Sequence, residues 1–435
     1  LTHSGAPGDL SQWWLGLNDP LLSELMDQAL AASPDLRKAQ ARLREARARR
    51  VVSGAAQYPN VSASGSARRK QSTSNTGGGA TSNQFTAGFD ASWELDVFGG
   101  VRRGVEAAEA DHESSEASLG DTQVSLVAEV ARSYFEVRSL QIRLGIARSN
   151  ITSQTETLQL TEFRAQAGLV SSQDVEQARS NREQTLAQIP SLEISLAEAE
   201  HRLDVLLGKV PGSLHARLAK GGELPAVPSQ VAVGIPADTL RQRPDVRVAE
   251  RKLAAETARV GVAEASRYPS FKLSGSIGVE ALTQGAIGNG TSAFYSLIGG
   301  ITAPIFYGGR LRAQVEVQDA VREQALVAYE QAVLGALQEV ENALVALAKN
   351  RDRAEALTRA VEAARNAALL ARQRYGAGVI DFQSVLDTER SVLSLEDSLA
   401  STRADGVFAL IRLYKALSGG WSPQAEARPA GKDAP

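Results

Sequence analysis

The sequence predicts a mainly α-helical chain that carries a small β part and is built as a tandem duplication. Three observations carry this expectation. Residues 84–98 alternate strictly, with Phe85, Ala87, Phe89, Ala91, Trp93, Leu95 and Val97 on one parity and Gln84, Thr86, Gly88, Asp90, Ser92, Glu94 and Asp96 on the other. Side chains alternate across a strand, so this stretch has one apolar and one acidic-polar face, which a helix would scatter around its circumference. After Gly99-Gly100 the period becomes helical and stays so to about residue 166, roughly 100 Å at ~1.5 Å per residue. The third observation is self-similarity at a constant spacing, Pro34-Asp35 falling on Pro244-Asp245 and Tyr58-Pro59 on Tyr268-Pro269.

In chain order, residues 1–18 read as a linker, with Trp13 and Trp14 as packing anchors. Asp19-Pro20 opens a short helix, an aspartate cap followed by Pro in the first turn being a usual start. Ser33-Pro34 ends that helix and starts another that runs to about residue 57, where Tyr58-Pro59 stops it. Residues 61–68 alternate weakly, and 69–83 form a Ser/Thr/Gly linker that suits a hairpin loop; the Lys-Ser/Thr of a phosphate loop is absent. The strand 84–98 and the helix 101–166 follow, then a break at Ala167-Gly168 and a return helix over 172–207, interrupted at Ile189-Pro190. Residues 19–208 form the first repeat and 209–235 a Gly/Pro-rich connector. The second repeat, 236–419, places strands at 271–281 and 293–306, a long helix at 310–375 and a return helix at 382–417. The tail 420–435 is rich in Pro and Ala and reads as loosely packed.

The same spacing also aligns Glu129-Val130 with Glu339-Val340, Ala167-Gly168 with Ala377-Gly378, and Arg202-Leu203 with Arg412-Leu413. Four strands per chain therefore hang from one end of four helices. Four strands cannot close a barrel, and lipid does not tolerate an open sheet edge. Such strands either are completed by other copies of the chain or lie in water. Val333, Leu337, Val340, Leu344 and Leu347 step at heptad spacing and mark an interhelical seam. Ala-rich stripes on the other helix faces suit either a closed ring of helices or an ordinary antiparallel bundle.

Composition narrows the function. The net charge of −3 leaves no electrostatic footprint for nucleic acid. Cysteine is absent, which removes disulfides, thiolate metal sites and a cysteine nucleophile. No run approaches the ~18–20 apolar residues of a membrane helix. His3, His112, His201 and His215 lack ligand spacing or a nucleophile partner, so no catalytic, metal or cofactor site is expected. The chain opens at Leu1 without an initiator Met or leader and reads as a processed or truncated product.

Several motifs are family features: 32–37 (Ala-Ser-Pro-Asp-Leu-Arg), 243–247 (Arg-Pro-Asp-Val-Arg), Tyr-Pro before each first strand, 93–99 (Trp-Glu-Leu-Asp-Val-Phe-Gly) and 304–309 (Pro-Ile-Phe-Tyr-Gly-Gly). In this order, and duplicated, the chain from Trp13 to Gly419 resembles the TolC-like outer-membrane efflux proteins, specifically their NodT-like lipoprotein branch. The resemblance implies a homotrimeric α-barrel of long antiparallel coiled-coil helices, capped by a shared twelve-stranded β-barrel with four strands from each protomer. The short helices at 19–32 and 236–241 and the connector would belt the middle of the tube. Such proteins are passive exit ducts, coupled to an inner-membrane pump through a periplasmic adaptor. The branch carries a lipidated cysteine at the mature N-terminus, so an acylated cysteine is expected upstream of Leu1. The alternative class is a soluble periplasmic coiled-coil scaffold or adaptor.

On this reading Phe85, Phe89, Trp93, Leu95, Phe271 and Leu273 face lipid. Asp90, Glu94 and Asp96 line a lumen and favour cations there, or pair with Lys272. The turns with Gly168, Leu169 and Ser171 and with Gly378, Val379 and Asp381 are the adaptor-docking tips; the glycines suit a reversing helix, and the apolar Leu169 and Val379 suit docking. The family's gate matches Asp387 and Arg390, with Arg374 and Tyr375 on the neighbouring long helix. Gln177 and Ser180 occupy the positions of Asp387 and Arg390 in the first repeat, so only one hairpin per protomer carries that charge pair. A lone pair of this spacing on a helix surface is otherwise an ordinary solvated face.

Overall fold

The computed structural model describes residues 2–3, 10–73, 78–79, 81–228, 231–232 and 243–421. The chain divides into two compact units. A sheet unit comprises Ala41–Ala117 and Arg247–Ala332, and a helical unit comprises Leu1–Gln40, Ser118–Val246 and Val333–Pro435. Eight described α-helices run α1 (Pro20–Ala32), α2 (Pro34–Ala55), α3 (Gly100–Gln166), α4 (Ser172–Leu206), α5 (His215–Leu218), α6 (Pro244–Ala265), α7 (Arg310–Gly376) and α8 (Phe382–Ala416). The duplication is literal: α3 and α7 each have 67 residues, α4 and α8 each 35, and α2 and α6 each 22. The short strands β1 (Thr2–His3) and β4 (Val231–Ala232) pair in parallel in the helical unit. Residues 236–241 and the tail from 422 lie outside the described residues.

In the sheet unit β2 (Asn60–Gln71), β3 (Thr81–Leu95), β5 (Ser270–Ala281) and β6 (Ala293–Thr302) form an antiparallel sheet in the order β2-β3-β5-β6. Its register aligns the apolar parity of every strand: Ala63 with Phe89, Phe89 with Ile277 and Ile277 with Tyr295; likewise Trp93 with Leu273, and Leu95 with Phe271 and then Ile301. One face is therefore apolar across the four strands over 61–67, 85–95, 271–281 and 293–301, with Arg69, Gln71, Thr81 and Asn83 at one end of it. On the other, Ser64 Oγ donates to Asp90 at 2.7 Å, Gln84 to Glu280 at 2.8 Å, Ser276 meets Ser296 at 2.6 Å, and Glu94 lies opposite Lys272.

Two strand ends fall earlier than the alternation suggests. β3 stops at Leu95, not 98, because Asp96 turns to cap α3: its carboxylate accepts from the Val101 amide at 3.0 Å and the Arg102 amide at 2.8 Å. Asp96 is thus a helix cap and not a strand residue. Phe98 leaves the sheet to stack on Tyr268, ring centroids 4.8 Å apart. β6 stops at Thr302, not 306, short of Pro304, which has no N–H for a ladder.

The helical unit is built around a core in which Trp13 and Trp14 of a short 3-10 turn pack with Leu22, Leu25 and Met26 of α1, Tyr134 and Phe135 of α3, and Leu203 of α4. Asp19 caps α1 by accepting from the amides of Leu21 and Leu22, and its other oxygen accepts from the Tyr134 hydroxyl at 2.7 Å. Burial, with the Asp19 bond, pushes that hydroxyl up to about 12. The connector is tied down by buried Asp204, which accepts from Gly212 N and Ser213 Oγ, by Glu200 facing His215 at 2.8 Å, and by Arg138, which donates to the carbonyls of Leu218 and Lys220. Arg243 of the repeated Pro-Asp motif is buried and bridges Asp245, Glu339 and the Ala416 carbonyl.

Two helix expectations need correction. α4 continues through Pro190 without interruption. Pro190 and Leu186, whose carbonyl loses its helical partner, are both exposed, so water can satisfy the freed group. In α7 the buried stripe is Ala336, Ala343, Leu347, Val361, Ala368, Ala371 and Tyr375; of the expected seam Leu347 belongs to it, Val340 and Leu344 are partly buried against the core there, and Leu337 is exposed.

Gly88 and Gly278 face each other across β3 and β5. A Cβ on Gly88 would stand 2.6 Å from the Ile277 carbonyl oxygen, and one on Gly278 2.5 Å from that of Ala87. Gly88→Ala is expected to lower the thermal midpoint of the detergent-extracted protein, overpacking of this kind costing about 1–3 kcal/mol. Gly65→Ala, whose Cβ meets nothing closer than Thr86 O at 3.9 Å, should leave it unchanged.

Candidate functional site at the two helical turns

Both long hairpins reverse by the same device. Gly168 (φ 73°) and Gly378 (φ 77°) take the left-handed conformation that glycine tolerates. The amides of Leu169 and Val379 then return to the carbonyls of Arg164 and Arg374, each at 2.9 Å. Ser171 caps α4 in a capping box with Asp174, and Asp381 caps α8 by accepting from the amide and hydroxyl of Ser384. The two caps carry the same pair of residue types, Ser and Asp, in exchanged positions. The Ser384 hydroxyl, then its amide, holds the Asp381 carboxyl below the usual aspartate range. Leu169 and Val379 stand out of the turns, 67% and 70% exposed.

Behind the turns the two hairpins share an apolar core. Leu158, Val175 and Ala178 of the first pack with Ala371, Tyr375, Phe382, Val385 and Leu386 of the second. Tyr375, expected with the gate, is 1% exposed and belongs to this core; the Arg164 guanidinium lies 4.5 Å over its ring and donates to its carbonyl. Asp387 and Arg390 are both exposed on α8 but take different partners. Asp387 accepts from Gln383 Nε2 at 2.9 Å, and Arg390 Nε donates to buried Asn181 of α4 at 3.1 Å. Arg374 is exposed.

A polar seam along α3 joins the first hairpin to the second. Its residues recur every seven positions. Arg143 meets Asp397 (2.6 Å), Asn150 Nδ2 donates to Glu396 (3.0 Å), Thr157 Oγ1 donates to Glu389 (2.6 Å), and Arg164 reaches the Tyr375 carbonyl. A hydrogen bond to a charged partner contributes about 1.5–3 kcal/mol when both sides stay paired. Glu389 is 4% exposed, and burial pushes its carboxyl above the usual glutamate range against the opposing effects of Thr157 and Arg372. Arg372 Nε stands 3.6 Å away on α7. In the first repeat the corresponding positions are Glu162 and Arg179, an exposed pair 3.5 Å apart with the charges inverted. Glu389, Thr157, Arg372, Asn181 and Arg164 were missed by sequence reasoning; the inversion of sign between the repeats was the available signal.

An apolar-faced sheet joined to duplicated long helical hairpins is the protomer architecture of an outer-membrane channel. The family model for outer membrane efflux proteins matches residues 25–209 and again 235–419, and the chain belongs to that family. It is 36% identical over 428 residues to nodulation protein T of Rhizobium leguminosarum bv. trifolii, covering 95% of this chain and 89% of that one. Identity to the pyoverdine export outer membrane protein OpmQ of Pseudomonas putida is 33%, covering 96% and 90%. Among solved structures, the outer-membrane channel OprN superposes with a TM-score of 0.91 at 38% identity, covering 97% of this chain and 95% of that one. The protein is an outer-membrane efflux channel, which favours the duct over the soluble scaffold.

Asp381→Ala should speed amide hydrogen exchange in the first turn of α8 while leaving that of α4, capped by Ser171, unchanged. Because the folded Asp381 carboxyl is lowered, its cap is present above the ordinary aspartate range and is lost as pH falls through its depressed value. Protection of the amides in the first turn of α8 should therefore fall on strong acidification.

Proposed function

We propose that the protein is the passive exit duct of a tripartite exporter and works as a homotrimer. Each protomer gives β2, β3, β5 and β6 to a twelve-stranded barrel whose apolar face, with Phe85, Phe89, Trp93, Leu95, Phe271 and Leu273, meets outer-membrane lipid. Asp90 and Glu94 line its lumen. The helices continue the duct into the periplasm. An inner-membrane pump supplies the energy, and a periplasmic adaptor docks on the turns at Gly168-Leu169 and Gly378-Val379. The cargo is the class of small molecules suggested by relatives named for pyoverdine export and for solvent and toluene efflux. The protein catalyses nothing. A lipidated cysteine upstream of Leu1 belongs to the same proposal and would register in the intact mass of the membrane-extracted protein.

The observation that supports this reading best is the sheet. Its apolar parity runs across four strands over 61–67, 85–95, 271–281 and 293–301, and among the described residues β2 and β6 each have one neighbouring strand. Strands in lipid need both edges paired, and three copies of a four-stranded sheet close a ring. The protein is expected to fractionate with outer membranes, to need detergent, and to cross-link as a trimer. A monomer in the soluble periplasmic fraction would end the proposal.

The gate is proposed at the tips, with Asp387 and Arg390 as three-fold rings and Arg374 beside them. Asp387→Ala is expected to raise the conductance of the trimer in planar bilayers and to admit antibiotics to intact cells. Unchanged conductance would return Asp387 to an ordinary solvated face.

A further inference from the structure

Among the buried acids of the helical unit, Glu389 stands where three helices meet and has thin compensation. It projects from α8, accepts from Thr157 of α3 at 2.6 Å, and is approached by Arg372 of α7 at 3.6 Å, too far for a hydrogen bond. The Arg372 Nε has no hydrogen-bond partner of its own. The other charged groups nearby are engaged elsewhere. Arg164 on α3 is turned to Tyr375, Arg182 on α4 donates to Thr155, Arg179 on α4 pairs with Glu162 and Glu176, and Arg390 on α8 donates to Asn181. A buried carboxylate with one hydroxyl and one distant cation is costly to keep ionised.

We propose that Glu389 is a positioning residue for the gate: its neutral acid form clamps the second hairpin against the first, so acidification tightens the tip and deprotonation loosens it. This rests on the reading of the tip as the gate. Protonation leaves the Thr157 contact available, because a hydroxyl and a carboxylic acid can each donate or accept. It removes the burial cost of the anion and gives up only the long approach to Arg372. The sign follows from linkage. Burial raises the carboxyl in the packed arrangement, while a tip whose α8 has moved away from α3 hydrates it and restores the ordinary glutamate value. Between those two values the packed tip holds the extra proton and is favoured by acid; the advantage is lost as pH rises through the raised value. The device belongs to the second hairpin alone. Its counterpart in the first repeat is Arg179, an exposed cation paired with Glu162.

The test uses the full-length trimer in planar bilayers, scanned from alkaline pH down to the ordinary glutamate value of about 4.3. Wild-type conductance should fall roughly two-fold or more on acidification. Glu389→Gln, which keeps the shape and the Thr157 contact without the charge, should show the low acid-form conductance at every pH. Asp387→Ala should conduct more throughout and keep the pH dependence. Spin labels on Leu169→Cys and Val379→Cys, introduced into a sequence without cysteine over residues 1–435, report the separation of the hairpins directly. Their distance should widen with rising pH in wild type and stay fixed in Glu389→Gln. A Glu389→Gln profile that follows wild type, or a conductance above wild type at neutral pH, overturns the proposal. If Asp387→Ala leaves conductance unchanged while the label distances still respond through Glu389, the gate reading fails and the hairpin clamp stands by itself.

Discussion

The backbone amides and carbonyls along the outer edges of β2 and β6 constrain everything else in the protein. Among the described residues β3 and β5 are paired on both edges and β2 and β6 on one. In hydrocarbon each unpaired backbone group costs several kcal/mol, of the order of ~2–7 kcal/mol by transfer measurements. A sheet with an apolar face of this extent therefore has no stable monomeric form in lipid. In the proposed trimer β2 of one protomer meets β6 of the next, and ring closure follows from the edges. The duplication makes this economical, since one helix–hairpin–helix unit used twice supplies four strands with matched register.

Much of this was legible in the sequence because it is written in periods. Alternation at 84–98 set the two faces of β3, and the register carried the same parity through β2, β5 and β6. The repeat spacing foretold that α2, α3 and α4 would recur at equal lengths in α6, α7 and α8. What periodicity could not convey was where a side chain serves the backbone instead of a face. Asp96 continues the alternation perfectly, yet its carboxylate is recruited by the free amides opening α3. Pro190 is a breaker by rule, but it lies on an exposed helix face, where water can take the place of the lost bond.

The tip was read less completely, for a different reason. Hydrophobic periodicity finds apolar stripes, and it found one on α7 that the structure shifts by a residue or more, since Ala336 and Ala343 pack where Leu337 does not. It is blind to a heptad of Arg143, Asn150, Thr157 and Arg164, because each of these looks like a solvated position in isolation. Tyr375 is placed with the gate by the family resemblance, and its ring packs in the core behind the turns. A polar seam beside an apolar core divides the work. The core fixes the hairpins against each other, and the directional bonds of the seam can be exchanged for water when helices slide.

The inverted charges at Glu162–Arg179 and Arg372–Glu389 also bear on assembly. Two hairpins descended from one unit are similar enough to be mistaken for each other, and a ring of three protomers would offer six near-equivalent places to fill. Opposite polarity acts as an address. A helix of one hairpin docked in the other's place would set Arg179 against Arg372 or Glu162 against Glu389, and like charges brought together in a poorly hydrated contact repel. Within each hairpin the two helices are thereby matched to each other, the first by an exposed pair and the second by a buried acid.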